Sequence, residues 1–231
     1  MDLNLKALGN DAPKDQPSYQ FFIDGPAGKI ETLLNRSNGD NQHNAVAVVC
    51  HPHPLYDGSL HNKVTYTLAR TLNGLGVPAL RFNFRGVGES QGEYDNGEGE
   101  ILDLLAVIAE ARRLYPNREI WLAGFSFGAY IALRAAHQAH VTQLITVAPA
   151  INFFDPHAIK QPACPWLLIQ GKNDDIVPCE EVLHWLEDMH PAPDLHLLEN
   201  TGHFFHRQLT TLRNAIETHF EPRQQIENMA I

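Results

Sequence analysis

Cysteine is scarce in this chain: three residues in 231, at positions 50, 164 and 179, with no C-x-x-C pair among them. Three scattered thiols cannot build a disulfide framework, so Cys50, Cys164 and Cys179 are expected to be reduced packing residues, as in a cytoplasmic protein. Basic residues are few as well, 17 against 27 acidic ones, for a formal net charge of -10. That sign repels nucleic acid and anionic membrane surfaces at long range and makes both poor partners. No apolar run approaches the roughly twenty residues that cross a bilayer. The opening "MDLNLKALGNDAPKDQPSYQ" also lacks the basic-then-apolar order of a secretion signal. Low-complexity tracts, internal repeats and Pro- or Gly-rich linkers are missing, which points to one folded domain over residues 19–231.

Hydrophobic residues make up 44% and charged residues 19%, an ordinary globular balance. Histidine is plentiful, and "HPH" at 51–53 is an H-x-H that could chelate. It has no third ligand at a recognisable spacing, so no metal is expected. "RGVGES" is an incomplete G-x-G-x-x-G with no G-K-S/T after it, which argues against a phosphate loop. No cofactor is expected.

Residues 1–18 are polar and aperiodic, with prolines at 13 and 17, and read as a flexible arm. "YQFFID" and "KIETLLNR" flank "GPAG", which predicts an antiparallel hairpin at a sheet edge. Six short apolar runs follow, at 45–50, 78–84, 119–125, 143–150, 165–171 and 194–200, separated by helical patterns at 61–74, 98–114, 127–139, 179–189 and 206–220. Such alternation predicts a mostly parallel sheet of about eight strands with helices on both faces. In the 98–114 helix, Ile101, Leu104, Leu105 and Ile108 recur at three- and four-residue spacing, while Glu100, Asp103 and Glu110 fall elsewhere.

"EIWLAGFSFGAYIALRAA" places Ser126 where a buried strand meets the start of a helix, the context that gives G-x-S-x-G chemical meaning. Gly124 and Gly128 let the chain turn tightly there. A serine hydroxyl needs a base in contact, itself oriented by a carboxylate. Both follow in the chain. "KNDDIVP" after the 165–171 strand offers Asp174 or Asp175, and "TGHFFH" after the last strand offers His203 or His206. Both segments land on the carboxyl rim of the sheet, where open α/β folds gather their sites.

This order of serine, acid and histidine, on this strand pattern, resembles the α/β-hydrolase superfamily from about residue 19 onward. "HPHPLYDGSLHNKV" and "LRFNFRGVGESQGEYDNGEGEILD" are similar to a group of small, cofactor-free bacterial hydrolases described as esterases. The resemblance implies Asp174, the fourth residue of "GKNDDIVP", as the acid, and His203, in a Gly-His pair, as the base. It makes Arg85 and Glu89 of "RGVGES" braces of their loop.

The expected reaction is attack by Ser126 on an acyl carbon, giving an acyl-enzyme that water releases. The oxyanion needs two N–H donors. Phe127, at a helix amino terminus, supplies one. The other comes from "HPHPLYDGS", where Pro52 and Pro54 have no N–H and His51, His53, Leu55 and Tyr56 do. Likeness to the H-G-x loop of relatives points to Leu55.

Only about fourteen residues separate the 143–150 and 165–171 strands, too few for a helical lid. An open site suits a small-molecule acyl ester or thioester. Phe153 and Phe154 either line an acyl pocket or pack in the core, and the same choice holds for Tyr56, Phe204 and Phe205. Serine at the elbow disfavours a dienelactone-hydrolase-like or dehalogenase-like chemistry. A peptidase or acyltransferase on the same residues, and a non-catalytic binding or scaffold protein with the same fold, are the alternatives. Oligomeric state leaves no trace in the sequence.

Overall fold

The computed structural model describes residues 17–37 and 42–220. The expected arm over 1–18 lies almost wholly outside the described residues, and Ser18 already belongs to the first strand. Strands β1 (Ser18–Gly25) and β2 (Gly28–Asn35) form the predicted antiparallel hairpin. Pro26 and Ala27 make its two-residue turn, and Gly28 sits at φ 118°, where a side chain would be strained.

Six further strands complete the sheet: β3 (Ala45–Cys50), β4 (Ala79–Phe82), β5 (Glu119–Phe125), β6 (Gln143–Val147), β7 (Trp166–Gly171) and β8 (Asp194–Leu198). The order across the sheet is β1-β2-β4-β3-β5-β6-β7-β8. β2 joins β4 antiparallel, and every pairing from β4 to β8 is parallel. The chain runs from β3 out to β4 and returns past β3 to β5, so the strand order reverses at β3. A crevice opens at such a switch point, above the carboxyl ends of the strands.

Each central strand is buried on both faces, which is why these segments read as continuous apolar runs. Val46, Val48 and Cys50 of β3 face one core with Ile120 and Leu122 of β5, while Ala45, Ala47 and Val49 face the other with Trp121, Ala123 and Phe125. The first core is closed by α2 (Glu98–Leu114), α3 (Phe127–Ala136) and α4 (Cys179–Leu186), the second by α1 (Lys63–Gly74) and α5 (Leu209–Phe220). Ile101, Leu104 and Ile108 of α2 are buried as their spacing predicts, each worth about 1.5–3 kcal/mol of transfer free energy.

Glu100 and Asp103 are a correction to that helix, because neither faces solvent. Burial is tolerated where every charge finds partners. Glu100 accepts from the amides of Asp95 (2.9 Å) and Gly97 (2.8 Å), capping the helix. Asp103 accepts a two-pronged pair of bonds from Arg85 (2.8 and 3.0 Å) and the Arg85 amide (3.0 Å). Arg85 thus braces its loop as expected. The Glu89 side chain is exposed, and the residue ties in through its amide, which donates to Glu31 at 2.9 Å.

Between Val147 and Trp166 the chain carries one short 3-10 turn, Pro156–Ala158, and no lid. Among the described residues no helix is long and apolar enough to cross a membrane.

Candidate active site

Ser126 follows β5 directly and caps α3 from a positive-φ conformation outside the left-handed helical region, φ 56° and ψ -119°. A non-glycine residue there is strained, and the fold over-determines it. Its amide donates to Val147 at 2.9 Å, and its carbonyl accepts from Ala129 (3.0 Å) and Tyr130 (3.1 Å). The flanking glycines are a steric necessity. A Cβ on Gly124 would collide with the Gly128 carbonyl, and one on Gly128 with the carbonyls of Cys50 and His51. The elbow therefore needs bare backbone where β3, β5 and α3 meet.

Loops after β7 and β8 bring the other two groups to the same rim. His203 Nε2 lies 3.0 Å from Ser126 Oγ, and His203 Nδ1 lies 2.8 Å from Asp174 Oδ2. All three residues are buried. Asp174 Oδ1 accepts from the amides of Ile176 (3.0 Å) and Val177 (2.7 Å). Gln170 Nε2 donates to Oδ2 at 3.3 Å. With both oxygens supplied by donors the carboxylate is fixed, and the proton on the imidazole belongs on Nδ1, leaving Nε2 to accept from the hydroxyl. Asp175 and His206 are exposed and stand outside this arrangement.

A cavity of about 570 Å³ opens over Ser126. Its walls include Phe127, Tyr94, Phe154 and His53, with Leu55, Tyr56, Phe153, Ile176 and Phe204 exposed around it. Phe153 and Phe154 both line it, whereas Phe205 is fully buried in the core beside Phe125. None of the described lining residues is Asp, Glu, Lys or Arg.

In the loop after β3 the Leu55 amide is already hydrogen-bonded. The Leu55 amide donates to His53 Nδ1 at 3.1 Å, because a short turn at Pro54–Tyr56 folds back on the His53 ring. The His53 amide, by contrast, donates to no acceptor among the described residues. Nδ1 accepts, so the proton of the neutral ring is on Nε2, facing the Tyr94 hydroxyl at 3.2 Å. Burial holds the His53 pKa below its ordinary value, favouring that neutral ring.

His51 is fully buried: its Nε2 accepts from the Phe84 amide (3.0 Å), so Nδ1 carries the proton and donates to the Pro52 carbonyl (2.6 Å). Burial pushes its pKa down to about 4, reinforced by His53 and opposed by the bond to Pro52. Both His51 nitrogens are engaged, so the H-x-H makes a loop anchor and not a chelate.

Two contributors escaped the sequence. Gln170 had a signal, a lone amide inside the buried run "PWLLIQG". Tyr94 had none, since loop conformation alone decides where it points; the His53 amide was among the four donors that the sequence left open, and the choice among them rests on the loop.

The fold and this site define a class. The family described as "Serine aminopeptidase, S33" matches residues 44–163, and the chain belongs to the α/β-hydrolase superfamily. An α/β serine hydrolase homologue from Coxiella burnetii is 42% identical with a TM-score of 0.84, covering 87% of this chain and 97% of that one. An α/β serine hydrolase without a lid from Xanthomonas campestris is 41% identical with a TM-score of 0.85, covering 90% and 95%. An uncharacterised protein of Rickettsia prowazekii is 33% identical over 207 residues, 85% of this chain and 86% of that protein.

Proposed function

We propose that the chain is a serine esterase that cleaves carboxylic or thio esters of neutral, apolar acyl groups through an acyl-enzyme. The observation that carries this reading is the unbroken path of hydrogen bonds from the buried Asp174 to the hydroxyl of Ser126 at the cavity wall. Ser126 Oγ attacks the acyl carbon while His203 Nε2 takes its proton. Asp174 stabilises the resulting imidazolium. The proton then passes to the departing alkoxide or thiolate oxygen or sulfur, and water repeats the sequence to free the acid.

Phe127 supplies one oxyanion donor, since its amide opens α3 with no preceding turn to accept it. The second is the His53 amide in place of Leu55, whose proton is already committed. Each donor is worth about 3 kcal/mol of barrier.

Cavity chemistry supports the acyl class. An aromatic, uncharged wall favours apolar acyl or aryl groups and offers no carboxylate to pair with the ammonium of a peptide amino terminus. That speaks against aminopeptidase chemistry despite the description of the matched family. Residues 19–231 acting as one domain, and a cytoplasmic location consistent with three free thiols, belong to the same proposal.

A series of p-nitrophenyl esters of increasing acyl length, with thioester and aminoacyl-anilide arms, tests it on wild type and Ser126→Ala. Ester turnover should fall at least about a thousandfold in the variant. Absence of turnover on every acyl substrate would favour a binding protein with this fold.

A further inference from the structure

We propose that Asp194, His196 and His219 form a binding site for one divalent ion of the zinc type, at the amino-terminal ends of the strands and away from Ser126. Strand periodicity puts Asp194 and His196 on the same face of β8 as Leu198. Leu198 packs in the core that α5 closes with Leu212 and Ile216. His219 lies one turn beyond Ile216 on that helix face, so the packing that seats α5 also delivers the second imidazole to the strand.

The geometry is that of a ligand set. His219 Nδ1 lies 3.0 Å from Asp194 Oδ2, and His196 Nε2 lies 3.7 Å from Asp194 Oδ1. One ligand atom from each of the three residues falls within 4.8 Å of the others. A tetrahedral ion with bonds of about 2.0–2.1 Å spaces its ligand atoms roughly 3.3 Å apart. The two contacts reach opposite oxygens of the carboxylate, His219 at 3.0 Å and His196 at 3.7 Å, so an ion held by one of those oxygens has both rings within reach, the three ligand atoms lying within 4.8 Å of one another. A modest swing of two partly exposed rings brings the histidines to that spacing.

Two imidazoles and one carboxylate suit Zn²⁺ or Ni²⁺ and are a poor match for Mg²⁺ or Ca²⁺, which take oxygen ligands. Water completes the fourth position. The ion would tie the last turn of α5 to the edge strand of the sheet. No short spacing announced the site, because 23 positions separate the two histidines.

The test is titration calorimetry of ZnCl₂ into the untagged full chain near neutral pH, for wild type, His196→Ala and His219→Ala. One equivalent should bind wild type, and each substitution should weaken it at least about tenfold, since even outer-shell partners are worth that much. Ester turnover should be equal in all three. Equal Zn²⁺ affinity in wild type and both variants would overturn the proposal, because the other histidines would then account for the binding; so would absence of binding to wild type. Should a variant not fold, anomalous diffraction from a Zn²⁺-soaked wild-type crystal decides: a peak between the three residues supports the site. A peak elsewhere, or none, refutes it.

Discussion

Replacing Asp174 by asparagine should cost nearly all activity while leaving the fold intact. Asp174 Oδ1 faces two backbone donors, the amides of Ile176 and Val177 at 3.0 and 2.7 Å. An asparagine must keep its carbonyl oxygen there, because turning its NH₂ inward would set donors against donors and leave two amides unpaired, at about 1–3 kcal/mol each. Its NH₂ then faces His203 Nδ1, where the Asp174 oxygen now accepts at 2.8 Å. Nδ1 must become the acceptor, and the ring proton moves to Nε2, 3.0 Å from Ser126 Oγ. A base with its proton already in place cannot take another. The penalty for a wrong tautomer of this kind is about 10⁴-fold in kcat, or about 5.5 kcal/mol of barrier. Steady-state hydrolysis of a short-chain p-nitrophenyl ester measures it, with circular dichroism to confirm folding. A folded Asp174→Asn protein within tenfold of wild type would refute the reasoning.

Gly128→Ala should lower stability by about 1–3 kcal/mol, and the melting temperature by about 2–4 °C for each kcal/mol, because the added methyl presses on the Cys50 and His51 carbonyls. An unchanged thermal melt would contradict this. Stability should also fall with acid through His51. Its folded pKa of about 4 lies below the ordinary 6.5, so below pH 6.5 the unfolded chain takes a proton that the native one refuses. The loss is about 2 kcal/mol between pH 7 and pH 5 and levels off below about pH 4. Urea midpoints should show that slope in wild type and a shallower one in His51→Gln. Tyr94→Phe removes the acceptor that faces His53 Nε2 and loosens the loop after β3 that carries the proposed second oxyanion donor. It should reduce kcat by about fivefold, equivalent to about 1 kcal/mol, with KM little changed.

Much of this architecture was legible because both faces of the central sheet are buried. Runs such as "AVAVVC" and "EIWLAGF", short and alternating with helical patterns, predicted inner parallel strands, and β3 and β5 occupy those residues. The α2 boundaries, Glu98–Leu114, likewise match the periodic stretch. Chain order placed Ser126, Asp174 and His203 on one rim, since each follows a strand pointing the same way. Geometry close to those strands was not readable. Of the two adjacent aspartates, only the resemblance, through the fourth position of "GKNDDIVP", favoured Asp174; the physical reason, the Ile176 and Val177 amides that hold its carboxylate, lies in the loop conformation. Likeness to an H-G-x loop pointed to Leu55 as a donor without describing the tight turn that Pro54 starts, in which the Leu55 N–H donates to the His53 ring. Glu100 and Asp103 break the outward rule for charges because their partners, the Asp95 and Gly97 amides and Arg85, lie in a loop whose path periodicity does not describe.

The central claim is that Ser126 becomes acylated. Wild-type protein mixed with a p-nitrophenyl ester, quenched in acid within the first turnover and digested, should carry one acyl group on the peptide containing Ser126, and Ser126→Ala should carry none. An adduct on another residue, or ester hydrolysis by Ser126→Ala at the wild-type rate, would contradict it.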